Sequence, residues 1–201
     1  MQEICRQVLV DRYAAPGERT TSQVYRRVAH ALSRVEKPEV RASIEKQFRQ
    51  NMEWGAIGAG RIMANAGTTQ IGTMINCFVH PIGIGPGKSQ FETGLEQAKA
   101  TLALGGGVGY NFSSLPPRKA TAEARAHCPA VCDAIDRYDL ASREMLFGGS
   151  RRGAQIAVLD CSHPDLLEFA RAKQGRKRWS TFNISIAVTD TFLQAVVDDQ
   201  P

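Results

Sequence analysis

The chain has 201 residues, 43% of them hydrophobic and 7% aromatic, and carries a formal net charge of +5. That length suits one domain, or a small domain with part of a larger one, and the apolar share allows a packed core. Sparse aromatics with no stripe among the basic residues exclude a stacking platform for single-stranded nucleic acid, and no apolar run is long enough to span a bilayer.

Residues 1 to about 54 read as helical. Leu9, Val10 and Tyr13 close a first short helix, which Ala15-Pro16-Gly17 breaks. Thr21 or Ser22 is placed to cap a second helix, with Val24, Val28, Ala31, Leu32 and Val35 at helical spacing. Pro38 opens a third, carrying Val40, Ile44, Phe48 and Met52. From Gly55 to Gly72 glycines punctuate a loop-rich stretch, and Thr73 to Val79 reads as a buried strand. Helices are then expected over 91–104, 129–147, 164–173 and 191–197, alternating with strands over 108–112, 155–159 and 182–188. Alternating strands and helices argue for α/β construction. No internal repeat is visible, which excludes a solenoid.

Two glycine-framed segments carry the most chemistry. Gly105-Gly106-Gly107-Val108-Gly109-Tyr110-Asn111 is not a dinucleotide fingerprint, because a helix precedes its glycines and a strand follows them, the reverse of the Rossmann order. Helix termination explains one glycine of the string. Gly148-Gly149-Ser150-Arg151-Arg152-Gly153-Ala154-Gln155 sets two guanidinium forks beside exposed backbone N–H groups, a setting for phosphate or another planar anion.

The N-terminus lacks a secretory apolar stretch, which gives an expected cytoplasmic location. Cysteines stand at 5, 77, 128, 132 and 161 without a CxxC pair, and read as buried thiols or chemistry rather than structural disulfides. Cys77 in an apolar strand is by itself a small buried hydrophobe, since a reactive thiol needs an exposed, electropositive setting. His127, Cys128 and Cys132, with Cys161 and His163 further on, raise a soft metal site, but CxxxC is not a usual zinc spacing and no metal is expected.

With Asn76-Cys77-Phe78-Val79, the two glycine segments, Ala157 to Asp165 and Phe182-Asn183-Ile184-Ser185, the chain resembles the catalytic subunit of ribonucleotide reductase from about residue 55 to 197. Tyr25-Arg26-Arg27-Val28-Ala29 extends the likeness to the helical part. The Asn-Cys-Phe-Val and Ser-Arg-Arg-Gly-Ala-Gln wording is similar to the adenosylcobalamin-dependent class. The resemblance implies a helical N-terminal region (1–54) followed by the first part of a ten-stranded α/β barrel (55–201), incomplete in this chain.

The same resemblance implies radical reduction of a ribonucleotide at its 2′ carbon, with Cys77 catalytic as hydrogen donor and reductant. Asn76, Gly106, Gly107, Ser150 and Arg151 would contact substrate. Arg118, Lys119, Arg152 and Gln155 would contact a deoxynucleoside triphosphate or ATP effector. Where the family commonly has arginine, Ser114 and Pro116 stand here, and Ile84 stands near an expected aspartate; these losses weigh against effector binding. The family's thiyl-radical cysteine, partner cysteine and carboxylate lie outside these residues, so the chain is expected to be an N-terminal portion, inactive alone. The implied partners are the remainder of the barrel, a thioredoxin-type reductant and a possible second copy. The rival reading is a non-enzymatic nucleotide-binding relic or assembly module.

Overall fold

The computed structural model describes residues 2–82, 89–125, 128–145, 154–174 and 178–200. They form two compact units, one of residues 2–76 and one of the described residues from Cys77 onward.

The first unit is helical: α1 (Glu3–Arg12), α2 (Thr21–Ser33), α3 (Pro38–Glu53) and α4 (Gly60–Asn65). The N-cap of α2 is Thr20, one residue before the expected position. Its side chain accepts the Gln23 backbone N–H while Gln23 reaches back to the cap, a reciprocal capping box that satisfies two orphan donors. Pro38 occupies the first turn of α3, where its missing N–H costs nothing. Val24, Val28, Ala29, Met52, Met63 and Ala66 form this unit's core. The short α4 was not apparent in the glycine-rich stretch. It belongs to the helical unit, whose core includes Met63 and Ala66, and that compact unit runs to Asn76.

The second unit is built on a four-stranded parallel sheet in the order β1 (Cys77–Val79), β2 (Gly107–Asn111), β3 (Gln155–Asp160) and β4 (Phe182–Ala187). Crossovers run through α5 (Ser89–Ala103), α6 (Val131–Arg143) and α7 (Leu166–Arg171), with α8 (Asp190–Val197) following β4. The register aligns Val79, Gly109, Ile156 and Asn183 in one row and Phe78, Val108, Gln155 and Phe182 in the next. The second row faces the core, with Tyr110, Phe112, Ile135, Tyr138, Phe169 and Trp179 buried behind it. α5 ends in a Schellman turn: Gly105 N–H donates to Leu102 O, Gly106 N–H donates to Thr101 O, and Gly105 takes φ +77°. One strand departs from expectation. The buried strand over 73–79 is ordered as β only from Cys77, and Cys77 and Val79 are exposed.

Candidate active-site face

A parallel strand alternates its side chains between two faces, and here the faces differ in kind. One is covered by helices. The other carries Cys77 and Val79 of β1, Gly107 and Gly109 of β2, Ile156 of β3, and Asn183 and Ser185 of β4. Val79 is 87% exposed and Ile156 37%; Asn183 and Ser185 are exposed as well. Cys77 opens β1 directly opposite Gly107, which puts no side chain beside the thiol. Asn76 precedes it and is also exposed.

Gly106 is held more tightly. A Cβ there would lie 2.7 Å from Thr101 Cγ2, 2.9 Å from Phe78 Cε2 and 3.0 Å from the Thr101 carbonyl oxygen. The glycine string therefore does two jobs. Gly105 supplies the left-handed residue that ends α5, and Gly106 lets the chain pass under Phe78 into β2.

Arg118 does not stand free to meet an effector phosphate. Its Nε and Nη2 donate to the two Glu168 oxygens, each at 2.9 Å, and Nη2 also donates to Asp133 Oδ1 at 2.8 Å. Its backbone N–H donates to the Asp165 carboxylate at 2.9 Å. These hydrogen bonds to Glu168 and Asp133 hold the guanidinium pKa above its ordinary value, and the Arg118 bond in turn holds Glu168 low. The loop around Arg118 is fastened at two further points. His163 Nε2–H donates to Leu115 O at 3.1 Å while its Nδ1 accepts from Asp165 N–H, which fixes the neutral tautomer. Ser113 Oγ accepts the Asp160 N–H at 2.8 Å.

Gln155 is likewise held by other side chains. It is 1% exposed and fully engaged inside the core. Arg118 and Gln155, both expected to contact an effector, are thus held by acidic or hydroxyl side chains distant in sequence. Lys119 is exposed and has no hydrogen bond or ion pair among the described residues. Ser150, Arg151 and Arg152 lie outside the described residues, as do Ile84 and His127.

Residues that the sequence did not single out do much of the positioning. Asp139 Oδ1 accepts from Thr181 N–H at 3.0 Å and from its hydroxyl at 2.6 Å, and the carboxylate pairs with Arg143. Asp136 accepts from Trp179 Nε1–H at 2.8 Å and from Arg178. Burial pushes Asp136 up, but the Arg178 and Trp179 bonds together outweigh it and leave it below the ordinary carboxylate range. The spacing of Asp139 and Arg143, four apart on one helix, was the available signal.

Among the described residues no group of three His, Cys, Asp or Glu is placed to hold a metal ion. Burial pushes the Cys132 thiol up to about 12, with the Glu168 charge adding to it, and burial raises Cys128 as well. The thiolate is the reactive species, so Cys128 and Cys132 are expected to resist iodoacetamide at pH 8 while exposed Cys5 and Cys77 react. Peptide mapping after a short pulse checks this. Labelling of Cys132 in step with Cys77 would show that the α6 end of the core opens readily.

Comparison with known proteins agrees with this architecture. Residues 2–70 match the family model for the all-alpha domain of ribonucleotide reductase, and residues 76–201 match that for its barrel domain. A vitamin B12-dependent ribonucleoside-diphosphate reductase of Mycobacterium tuberculosis is 42% identical over 138 residues, which cover 67% of this chain and 19% of that protein. The protein of the same description from Thermoplasma acidophilum is 32% identical over 142 residues, covering 68% of this chain and 18% of its own length. The matched stretch is therefore about a fifth of each curated relative. The class Id ribonucleotide reductase alpha subunit of Actinobacillus ureae superposes with a TM-score of 0.77 at 18% identity, over 100% of this chain and 36% of that one, which establishes the shared fold. Two adjoining family models, meeting where the two compact units divide, place this chain in the ribonucleotide reductase large-subunit family.

Proposed function

We propose that the chain supplies the N-terminal helical region and first barrel strands of an adenosylcobalamin-dependent ribonucleoside-diphosphate reductase. The observation that carries the reading is Cys77: an exposed thiol at the start of a parallel strand, facing Gly107 across the ladder on the uncovered face of the sheet. The glycine leaves room for a ribose beside the sulfur, and Asn76 can offer its amide to the same ligand. Gly106 and Gly107 would let the sugar or base approach the backbone. Ser150 and Arg151 would contact the base or its phosphates, and Arg152 and Lys119 remain for an effector phosphate.

In the reaction proposed, a ribonucleoside diphosphate loses its 2′-hydroxyl as water. The two electrons and two protons come from Cys77 and a second thiol, which end as a disulfide. A thioredoxin-type dithiol would restore the pair. When bound in the complete enzyme, adenosylcobalamin supplies the radical that starts the chemistry. A corrin needs a wide enclosed apolar face, and with Cys77 and Val79 exposed the described residues do not themselves form one. A cytoplasmic site, the rest of the barrel and a second copy belong to the same reading. Among the described residues no helix is long and apolar enough to cross a membrane.

Substrate protection tests the reading. CDP, ADP, GDP or UDP is expected to slow alkylation of Cys77 several-fold and to leave Cys5 unaffected. Equal labelling of Cys77 with and without each nucleotide, together with no measurable binding, would refute it. In the assembled enzyme, Cys77→Ser is expected to reduce dithiol-supported turnover to background.

A further inference from the structure

The first helix carries an apolar stripe that the helical unit uses only in part. Ile4, Cys5, Val8 and Leu9 recur at helical spacing on one face of α1. Leu9 and Tyr13 pack on the core of the unit, yet no residue of α1 is buried, and Ile4, Cys5 and Val8 stay exposed. Between this stripe and its neighbours lies a groove of about 460 Å³, within the roughly 300–1,000 Å³ usual for small-molecule sites. Buried Val24 of α2 and Met63 of α4 line its inner side. The walls are already fastened. Tyr13 O accepts from Arg27 Nη2 at 2.9 Å, and α2 starts at its capping box, so a ligand would meet little ordering cost there.

The lining states what would fit. No charged side chain borders the groove, so an ion entering it would lose water without gaining a partner. Three hydroxyls border it, those of Tyr13, Thr21 and Tyr25, and none makes a hydrogen bond among the described residues. Each can donate to an acceptor on a ligand. The two tyrosine rings and the Met63 thioether favour a flat aromatic over a flexible chain. We propose that this groove is a binding site for an uncharged molecule of two fused aromatic rings that carries a hydrogen-bond acceptor. Cys5 lies on the lining and reports whether the site is filled. The site is independent of Cys77, which belongs to the other compact unit.

The probe is Prodan, a neutral naphthalene ketone whose emission shifts to the blue in apolar surroundings. Added to the full chain, it is expected to show that shift and to slow alkylation of Cys5 by iodoacetamide several-fold, with Cys77 labelled as before. 2-Naphthoate has the same rings but a carboxylate, and is expected to protect Cys5 at least about tenfold more weakly. Gly60→Leu fills the groove: a Cβ at Gly60 would stand 3.5 Å from Tyr13 Cε1 and Oη, an ordinary contact, so the longer side chain enters without a clash at its base. It is expected to weaken Prodan binding about tenfold or more and to cancel the protection. Equal labelling of Cys5 with and without Prodan overturns the proposal, as does unchanged Prodan binding in Gly60→Leu or equal protection of Cys77. Better protection by 1-decanol than by Prodan overturns the aromatic assignment. Protection that appears only as sedimentation shows a dimer forming would put a second copy in the groove instead, and also overturns it. Should Gly60→Leu fail to fold, Val8→Trp, at an exposed position of α1, closes the groove from its other side and is judged by the same criteria.

Discussion

Gly106→Ala is expected to destabilise the second unit by an amount at the upper end of the about 1–3 kcal/mol typical of overpacking. The added Cβ would sit under 3.0 Å from Thr101 Cγ2 and Phe78 Cε2 and at 3.0 Å from the Thr101 carbonyl oxygen. The methyl and the ring could turn aside, but the carbonyl already accepts the Gly106 N–H that closes the Schellman turn and cannot move without undoing it. The strain would fall between α5 and β1, next to the residue that begins the candidate site. Urea unfolding followed by circular dichroism measures the shift in midpoint. A midpoint equal to that of the unaltered protein would mean that the α5 end slides freely over Phe78. Gly107→Ala is the informative neighbour, because Gly107 is on the uncovered face opposite Cys77. If Gly107→Ala loses nucleotide protection of Cys77 while keeping its midpoint, the two glycines separate into one needed for packing and one needed for the ligand.

How much of this was legible in the sequence depended on whether the cause was local. The capped second helix, the proline-started third helix and the strand–helix alternation after residue 107 follow from turn chemistry and periodicity, which act over a few residues. The exposure of Cys77 was not legible. Met74, Ile75, Phe78 and Val79 read as a buried apolar strand, yet Met74, Ile75 and Val79 are half or more exposed, since an apolar run does not say which side will be covered. The short α4 was hidden for a related reason: its stability comes from Met63 docking on the second helix rather than from propensity.

The candidate site divides along the same line. Cys77, Asn76 and the glycines could be singled out from residue type and from the family likeness. Arg118 and Gln155 could be singled out too, but their occupation could not be read. Glu168 and Asp165 lie about fifty residues beyond Arg118, and Tyr110 forty-five before Gln155. A polar residue within a matching motif reads alike whether it meets ligand or core; only the partners decide.

The helical unit has a comparable hidden centre in Arg27, and its removal should have the other large effect. Arg27 Nε donates to both Glu18 carboxylate oxygens, at 3.1 and 3.2 Å; Nη2 donates to Tyr13 O at 2.9 Å and Met63 O at 3.1 Å, and Nη1 donates to Ala66 O. Glu18 is itself held by the Ala15 N–H at 2.8 Å. One planar fork therefore binds the turn after α1 to both the body and the end of α4. The pair is 11% and 14% exposed, so solvent screens it little. Arg27→Met would leave the Glu18 charge and three carbonyl groups without their donor in a nearly closed site, a loss of about 3–5 kcal/mol. Arg27→Lys keeps the charge but cannot reproduce the fork, and is expected to fall between the two. Arg26, the exposed neighbour, serves as control, with a substitution effect within about 0.5 kcal/mol. Chemical denaturation at low and high salt measures all three. An Arg27→Met midpoint close to that of the Arg26 control would show that α4 is held by Met63 and Ala66 alone. Retention of the Arg27 effect in 1 M sodium chloride is expected, because the hydrogen bonds to backbone carbonyls carry much of it and salt weakens only the exposed part of the ion pair.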